Sequence, residues 1–197
     1  PIGENIREGE IVLREGTLLR PQEIGILAAL GHAQVSVIRQ PLVAILTTGD
    51  ELVTVDQPLT PGKIRDVNTY TLTSLIHTYG GVVYPLPIAS DTLDDVRNLF
   101  KSALQPNPDL LISSAGVSVG AADYIRTVLE ELGEVNFWRI NLRPGKPLAF
   151  GKVQGIPFFG LPGNPVSAMV TFEVLVRPAL LKQAGREDHY HTVQATL

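Results

Sequence analysis

Short apolar runs alternate with helical patterns from residue 41 onward. The apolar runs cover residues 43–48, 82–89 and 109–114, and turn or capping residues separate each of them from the helical pattern that follows. Strand, loop and helix in repeated order predict an α/β fold, in which a mostly parallel sheet carries helices on both faces. Ligands bind at the carboxyl ends of the strands in such folds, so we expect functional residues in the loops after these runs.

Proline, glycine and capping residues mark the ends of five predicted helices. Pro21 and Pro165 suit a first helical position, because the missing N–H of proline is not needed there. Asn68 can cap the second helix, and Asp91 or Thr92 can cap the third. The predicted helices cover residues 21–30, 68–79, 92–104, 122–132 and 165–184.

The remaining segments differ from this alternation. Residues 135–140, 148–153 and 157–160 read as consecutive strands, with a hairpin at Gln154 and Gly155. Residues 1–40 combine glycine-punctuated apolar runs with one helix, and we interpret them as a small β-rich lead-in from a neighbouring domain. The predicted organisation is this lead-in at 1–40, an α/β domain at 41–185, and the start of a truncated C-terminal domain at 186–197.

Composition restricts the function classes. The chain has 197 residues and 44% hydrophobic content, which is enough for a packed core. It has no run of about 20 apolar residues and no secretory signal, so we expect a cytoplasmic protein without a membrane partner. A net charge of −4 argues against nucleic-acid binding. Because the chain has no cysteine, a metal would need oxygen or imidazole ligands.

A glycine-rich loop follows the apolar run at 109–114 and precedes the helix that contains Asp123. Its glycines allow a close backbone approach, its serines offer hydroxyl donors, and the following helix start has unpaired N–H groups, which together suit an anion such as a phosphate. The loop matches neither the dinucleotide-binding pattern nor the P-loop pattern. A tight connection without a ligand is the alternative. The candidate residues here are Ser113, Ser114, Gly116, Val117, Ser118 and Gly120.

Four polar or small residues, Thr48, Gly49, Asp50 and Glu51, come directly after the first apolar run. Paired acids at the carboxyl end of a strand can bind a metal, accept hydrogen bonds from a heterocycle or act as bases. A structural Gly-Asp turn is the alternative, and the pattern taken alone favours that turn.

Two further acids lie in similar positions. Asp66 precedes Asn68, and Asp91 follows the apolar run at 82–89. A helix cap explains Asn68 completely and Asp66 less well, whereas Asp91 taken alone is explained as a cap. The four histidines are scattered along the chain, so no metal-ligand spacing and no catalytic triad emerges.

Basic residues cluster at the end of the predicted strand at 135–140. Alternation along the strand puts Arg139 and Arg143 on one face, and their guanidinium groups can hold an oxyanion. The turn that follows consists of Pro144, Gly145 and Lys146, and its stiffness lowers the entropy cost of binding. A solvated edge strand is the alternative.

The segment at 160–167 has the pattern of a loop that leads into a helix. Asn164 can cap that helix, Pro165 can be its first residue, and Gly163 lets a ligand approach the backbone. A helix start of this kind favours negative charge. The candidate binding residues in this segment are Leu161, Pro162, Gly163, Asn164, Pro165 and Ser167.

Five motifs in this order resemble the molybdopterin molybdenumtransferase family, which includes the gephyrin E domain. They are Thr48-Gly49-Asp50-Glu51, Asp66-Val67-Asn68, Ser114 to Gly120 with Asp123, Arg143 to Pro147, and Gly160 to Ser167. The resemblance covers about residues 43–185 and is specific as an ordered set. It implies the three-layer α/β fold of molybdopterin-binding domains.

The resemblance also implies the last step of molybdenum cofactor synthesis, in which molybdate enters the dithiolene of adenylylated molybdopterin and AMP is released. It implies Mg²⁺ as cofactor, molybdate and adenylylated molybdopterin as substrates, a homodimer, and a molybdopterin adenylyltransferase as partner. The carboxylates implied as catalytic are Glu51, Asp66, Asp91 and Asp123, and those implied as metal ligands are Asp50, Glu51 and Asp66. The residues implied to bind substrate are Thr48, Gly49, Asp50, Asn68, Ser113, Ser114, Gly116, Val117, Ser118, Gly120, Arg139, Arg143, Pro144, Gly145, Lys146, Leu161, Pro162, Gly163, Asn164, Pro165 and Ser167.

The chain departs from the family pattern at three positions, which changes loop geometry and hydrogen bonding there. Ala115 stands where Gly is common, and Arg139 and Arg143 stand where Lys is usual. Two other functions stay open. The related adenylyltransferase shares the fold, although its loop is usually richer in Gly and Thr. A scaffold module is the second, although it would have no need of the four acids together.

Overall fold

The computed structural model describes residues 4–114, 122–139, 142 and 147–186, with the backbone alone for residues 122, 123, 135–139 and 147. The helices are α1 (Pro21–Ala29), α2 (Asn68–Thr78), α3 (Leu93–Leu104), α4 (Ala122–Leu132), α5 (Pro165–Thr171) and α6 (Arg177–Gln183). The strands are β1 (Leu42–Thr47), β2 (Leu52–Val53), β3 (Ile64–Arg65), β4 (Val82–Tyr84), β5 (Leu110–Ser114), β6 (Gly133–Arg139), β7 (Pro147–Val153) and β8 (Ile156–Leu161).

The main sheet has six strands in the order β4-β1-β5-β8-β7-β6. β4, β1, β5 and β8 run parallel, whereas β7 is antiparallel to both β8 and β6. The predicted mostly parallel sheet is therefore confirmed. The predicted hairpin is also confirmed, and Gln154 and Gly155 at its turn both have positive φ. β2 and β3 form a separate two-stranded ladder that the sequence pattern did not predict.

Side chains alternate between the two faces of the sheet and form two cores. Val43 and Ile45 of β1 pack with residues of α2, α5 and α6 on one face. Ala44 and Leu46 pack with residues of α3 and α4 on the other face. A strand that is buried on both faces needs apolar residues at every position, which explains the continuous apolar run in the sequence. The three-layer α/β fold class is thereby confirmed.

β4 is shorter than the strand predicted at 82–89, because it ends at Tyr84. Pro85 and Pro87 follow, and proline has no N–H to donate to a strand ladder. The chain next pairs at Ala89, which forms a single parallel bridge with Thr48. The predicted strand was therefore wrong in length, although its first half and its position were right.

The β-rich character predicted for residues 1–40 is not seen between residues 4 and 40, where α1 is present and no strand is assigned. A strand forms only where its backbone finds a partner, and the extended stretches here have none within the described residues. Ile11, Leu18 and Val37 keep 68%, 53% and 68% of their surface exposed. The assignment of residues 1–40 to a neighbouring domain stays a prediction.

The helix predicted at 165–184 is divided into α5, a π-helical turn at Phe172–Val176, and α6. Pro178 cannot donate the α-helical bond to the residue four positions before it, so the regular ladder is interrupted near this point. The amide of Arg177 donates instead to the carbonyl of Phe172, five residues before it. In the described parts of the chain, no helix is long and apolar enough to cross a membrane.

An ion pair ties the lead-in to the amino-terminal edge of the sheet. Arg39 donates two hydrogen bonds of 2.6 Å to the carboxylate of Asp109. The same carboxylate accepts from the amide of Leu42 at the start of β1, 2.8 Å away. Partial burial opposes ionisation of Asp109, but these hydrogen bonds outweigh it and hold the pKa of the carboxyl group below its ordinary value.

We expect Asp109→Asn to lower the free energy of unfolding by about 1 kcal/mol at pH 7, because the variant loses the charge that Arg39 pairs with. A carboxyl group whose pKa is lowered on folding stabilises the fold above its unfolded pKa and loses this effect as the pH falls. The difference between the variant and the wild type should therefore vanish as the pH falls below about 4.

Urea unfolding measured from pH 7 to pH 3 tests this prediction. Glu130→Gln is the control, since it removes an acid from the exposed Arg126 pair on α4 and should change stability by less than about 0.5 kcal/mol. A difference for Asp109→Asn that stays constant with pH would contradict the expected role of the charge.

Candidate functional site

Three loops that carry sequence motifs begin side by side at the carboxyl edge of the sheet. Thr47, the last residue of β1, is paired with Ser114, the last residue of β5, and Ser114 is paired with Leu161, the last residue of β8. Neighbouring strands lie about 4.8 Å apart, so the three loops start within about 10 Å of each other. The fold therefore brings together motifs that are more than 100 positions apart in the sequence.

The loop after β1 is joined to the segment that precedes α3. Gly49 donates its amide to the carbonyl of Ala89 at 3.2 Å, and Ala89 donates to the carbonyl of Thr47 at 3.0 Å. The carboxylate of Asp50 accepts from the amide of Asp91 at 3.1 Å, and the carboxylate of Asp91 accepts from the amide of Asp50 at 3.4 Å. Asp50 and Asp91, both of which the sequence predicted as functional acids, are therefore hydrogen-bonded to each other's backbone.

Asp91 is not the cap of α3. The cap is Thr92, whose hydroxyl accepts from the amide of Asp95 at 3.2 Å and donates to its carboxylate at 2.8 Å. A role as a helix cap therefore does not explain the presence of Asp91. Burial raises the pKa of Asp91 above its ordinary value, and the charges of Asp50 and Glu51 add to this rise.

Asp66 caps α2 in place of Asn68, which the sequence suggested as the cap. Asp66 is buried, and its Oδ1 accepts from the amide of Thr69 at 3.0 Å in the first turn of α2. Asn68 instead donates from Nδ2 to the carbonyl of Gly163 at 2.8 Å and so joins α2 to the turn after β8. The prediction of Asn68 as the cap was wrong, because its side chain points its donor at another loop while Asp66 supplies the acceptor.

We expect Asp66→Ala to lower the free energy of unfolding by about 1 kcal/mol, which is typical for the loss of a helix cap. Asp66→Asn keeps an oxygen that can accept from the amide of Thr69, so it should cost less than half of this. Thermal and urea unfolding of both variants would check the prediction. Equal stability of Asp66→Ala and the wild type would show that the capping bond contributes nothing.

The turn after β8 has the predicted geometry. The side chain of Asn164 accepts from the amide of Ser167 at 3.2 Å, and Pro165 is the first residue of α5. Leu161 and Pro162 are buried, whereas Gly163 is exposed. The predicted cap and helix start are confirmed, and the exposed backbone of Gly163 is open to solvent at the edge where the three loops meet.

Several buried polar atoms at this edge have no hydrogen-bond partner in the described part of the chain. They are Thr48 Oγ1, Asn68 Oδ1, Asp91 Oδ1 and Ser113 Oγ. A buried polar atom without a partner is costly, and a bound ligand or water is the usual explanation. Their concentration at one sheet edge marks this edge as the candidate binding site.

The acids at this edge suit a magnesium ion that a substrate helps to hold. Among the described residues, no three acidic or histidine side chains converge on one point. Mg²⁺ commonly takes one or two protein carboxylates and completes its shell with water and phosphate oxygens. Asp91 Oδ1, which is buried and has no hydrogen-bond partner among the described residues, and Glu51, whose charge acts on Asp91, are the carboxylates that could form such a two-ligand arrangement.

Part of the predicted site lies outside the described residues. This holds for Gly116, Val117, Ser118, Gly120, Arg143, Pro144, Gly145 and Lys146. For Asp123 and Arg139 the structure describes the backbone alone, which places Asp123 in the first turn of α4 and Arg139 at the end of β6. Their proposed roles stay predictions.

Sequence reasoning missed three residues that shape this edge. Ala89 extends β1 by one bridge, the hydroxyl of Thr69 bonds that of Thr47 at 2.7 Å, and the ammonium group of Lys63 donates to the carbonyl of Asp50. These residues act through their backbone or across long sequence separations. A single sequence carries no pattern that would have identified them.

A large groove in the described part of the chain lies elsewhere. It has a volume of about 690 Å³ and is lined by apolar lead-in residues, including Leu19 and Ile38, and by the end of α6 near Gly185. Gln183 of α6 bonds the carbonyl of Asp109, so this groove lies beside the amino-terminal edge of the sheet. Ligands of open α/β sheets bind at the opposite edge, and we therefore assign the site by its chemistry rather than by cavity size.

Comparisons with known proteins identify the family of the chain. A family model described as a probable molybdopterin binding domain matches residues 44–182. The molybdopterin molybdenumtransferase of Haemophilus influenzae is 46% identical over 187 residues, which cover 95% of this chain and 46% of that protein. The protein of the same name from a Nostoc species is 42% identical over 181 residues, covering 90% and 41%.

A solved structure gives the same answer for the fold. The crystal structure of the molybdopterin biosynthesis MoeA protein from Pyrococcus horikoshii superposes with a TM-score of 0.84 at 37% identity, over 93% of this chain and 45% of that one. The chain spans about half the length of the curated relatives that it matches. Motifs, fold and family model agree, and the chain belongs to the molybdopterin-binding domain family.

Proposed function

We propose that the protein containing this chain inserts molybdenum into adenylylated molybdopterin and releases AMP. The observation that carries the proposal is the group of buried polar atoms that have no hydrogen-bond partner among the described residues, at the edge where the loops after β1, β5 and β8 begin. A ligand rich in donors, acceptors and phosphate groups would satisfy them. The names of the relatives supply the choice of molybdopterin among such ligands.

Each group of residues has a separate task in this proposal. The turn at 161–165 and the glycine-rich loop after β5 hold the pterin and phosphate groups. Asn68 keeps the turn in place through its bond to the carbonyl of Gly163. Arg139, Arg143 and Lys146 neutralise the charge of phosphate and molybdate, as their positions in the sequence suggest.

Release of AMP requires water to attack the phosphoanhydride, with the bond to the departing phosphate breaking and a proton passing to a base. Glu51 and Asp91 are the carboxylates at this edge that can orient that water, and Asp123 is a third by its position at the start of α4. Mg²⁺, when bound to Glu51 and Asp91, would neutralise charge on the phosphate oxygens. Asp66 caps α2 through Oδ1, and its predicted catalytic role stays a prediction.

The proposal is tested by supplying the full-length protein with adenylylated molybdopterin, magnesium and molybdate, and following AMP. Release of AMP that depends on molybdate supports insertion. The matched reaction contains ATP and molybdopterin without the adenylyl group, and consumption of ATP there would assign the protein to the adenylyltransferases instead. Inactivity in both reactions together with no affinity for molybdopterin would indicate a scaffold module.

The assembly and cellular setting form a separate part of the proposal. We infer a homodimer, direct transfer of substrate from a molybdopterin adenylyltransferase, and a cytoplasmic location. Sedimentation velocity of the full-length protein tests the first of these. Co-sedimentation with the adenylyltransferase tests the second, and a monomer that is fully active would remove the dimer from the mechanism.

A further inference from the structure

The two acids of the loop clasp bond each other reciprocally but differ in exposure. The clasp consists of the four hydrogen bonds that join residues 47–50 to residues 89–91. Within it, the amide of Asp50 donates to Asp91 and its Oδ1 accepts from the amide of Asp91. Its carbonyl accepts from the ammonium group of Lys63. Asp50 therefore joins two segments of the chain through its amide, its carbonyl and one carboxylate oxygen.

Asp91 is more buried than Asp50. Its Oδ2 accepts from the amide of Asp50, whereas its Oδ1 is buried and has no hydrogen-bond partner among the described residues. Thr92 caps α3, so the helix does not use Asp91 either. The clasp therefore fixes Asp91 through its backbone and one oxygen. Within the described residues its Oδ1 has no fully formed hydrogen bond, and the nearby Thr48 hydroxyl, which partly offsets the rise in the pKa of Asp91 that burial causes, is likewise unpartnered, so both atoms are placed to bind a ligand or water.

Gly49 gives the loop after β1 a backbone conformation that allows the contact between Asp50 and Asp91. Gly49 has a φ of +151°, a conformation that residues with a side chain rarely adopt. A Cβ atom on Gly49 would lie 2.9 Å from Glu51 Oε2 and 3.0 Å from Leu52 Cγ. Glycine at this position thus allows the tight turn that brings Asp50 opposite Asp91 and keeps Glu51 beside them.

We propose that Asp50 is a positioning residue, which holds residues 89–91 against β1 so that Oδ1 of Asp91 is fixed for ligand or water. This inference rests on the proposed function for its effect on turnover, but the clasp itself is independent of activity. It differs from the sequence-based expectation that Asp50 binds metal or substrate directly. A direct ligand would need its carboxylate charge, whereas a positioning residue needs an acceptor for one amide.

Two substitutions of Asp50 separate these roles. Asp50→Asn keeps an oxygen that accepts from the amide of Asp91 but removes the charge, and Asp50→Ala removes both. In the full-length protein we expect Asp50→Ala to lower kcat for AMP release by about 10²-fold with a smaller change in KM, because misplacing a reacting group by about 1 Å has effects of this size. Asp50→Asn should stay within about threefold of the wild type. Asp56→Ala is the matched control, since it removes an acid nearby that bonds only Thr54.

A double substitution tests whether Asp50 acts through Asp91. In the background of Asp91→Ala, Asp50→Ala should lower kcat by less than about threefold further, because the group that it positions is already missing. Losses that multiply would overturn the inference. Equal losses in Asp50→Asn and Asp50→Ala would also overturn it, since they would indicate a role for the charge itself.

Amide hydrogen exchange provides a readout that does not depend on turnover. The amide of Asp91 should exchange at least about tenfold faster in Asp50→Ala than in the wild type, and at nearly the wild-type rate in Asp50→Asn. Unchanged protection in Asp50→Ala would overturn the clasp. If the wild type releases no AMP in response to molybdate, the proposed function fails, and the exchange measurement still decides whether Asp50 holds Asp91.

Discussion

Replacing Asp91 by asparagine is expected to lower kcat for molybdate-dependent AMP release by about 10²- to 10³-fold. The physical reason is that Asp91 is partly buried at the edge where the motif-bearing loops meet, with Oδ1 lacking any partner in the described chain. A carboxylate so placed can orient water or a metal-bound phosphate, and removal of one such group typically costs this much. The isosteric amide keeps the shape and loses the charge.

Steady-state kinetics of the full-length protein measures this effect, with kcat and KM determined separately. Asp94→Asn, three residues later in the first turn of α3, is the control, because the side chain of Asp94 is 89% exposed and pairs only weakly with Arg97 at 3.4 Å. Its kcat should stay within about twofold of the wild type. If Asp91→Asn retains more than a third of the wild-type kcat, Asp91 has no chemical role and its loop position is only structural.

Replacing Phe158 by alanine is expected to lower the free energy of unfolding by about 3–5 kcal/mol. Phe158 has 0% of its surface exposed, and its ring centroid lies 6.1 Å from that of Phe100 on α3. It belongs to β8, which lies between the parallel and antiparallel parts of the sheet. Removing the ring leaves a cavity beside the strand that positions Leu161 and the turn after it.

Urea unfolding, with the midpoint and the slope fitted separately, measures this loss. Val174→Ala is the control, since Val174 is 45% exposed and the loss should stay below about 0.5 kcal/mol. A change of less than 1 kcal/mol in Phe158→Ala would mean that the core relaxes around the missing ring, and it would argue against tight packing of β8 on α3.

Local sequence patterns predicted the helix starts near Asp66, Asn68 and Asp91, but they did not identify the residue that caps each helix. Residue type and spacing correctly predicted a capped helix near 68–79, but both Asp66 and Asn68 can accept a hydrogen bond from the first turn. Which of them does so depends on where Asn68 finds a better partner, and that partner is the carbonyl of Gly163, 95 residues later in the chain. Asp91 and Thr92 are a similar pair, since the sequence allows either of them to cap α3 and Thr92 does so in the structure.

The strand predicted at 82–89 was wrong in length, and the reason is different. Its apolar side chains fit a buried strand, and the alternation of strand and helix around it was right. Pro85 and Pro87 cannot join a ladder, so pairing stops at Tyr84 and resumes for a single bridge at Ala89. Because regular pairing stops at Tyr84, residues 89–91 can form the clasp with the loop after β1.

The sequence by itself determined the α/β class, the positions of the main helices, the hairpin at Gln154 and Gly155, and the family through five ordered motifs. These features depend on apolar periodicity, on proline and glycine, and on short local patterns, which are written in neighbouring residues. Only the tertiary structure decided that Thr47, Ser114 and Leu161 end in one row, that Asp50 holds Asp91, and that Asp66 rather than Asn68 caps α2. Each of these depends on strand order and on contacts between distant segments. A polar side chain often has several equivalent partners nearby in the sequence, and only the packing of the chain decides which one it bonds.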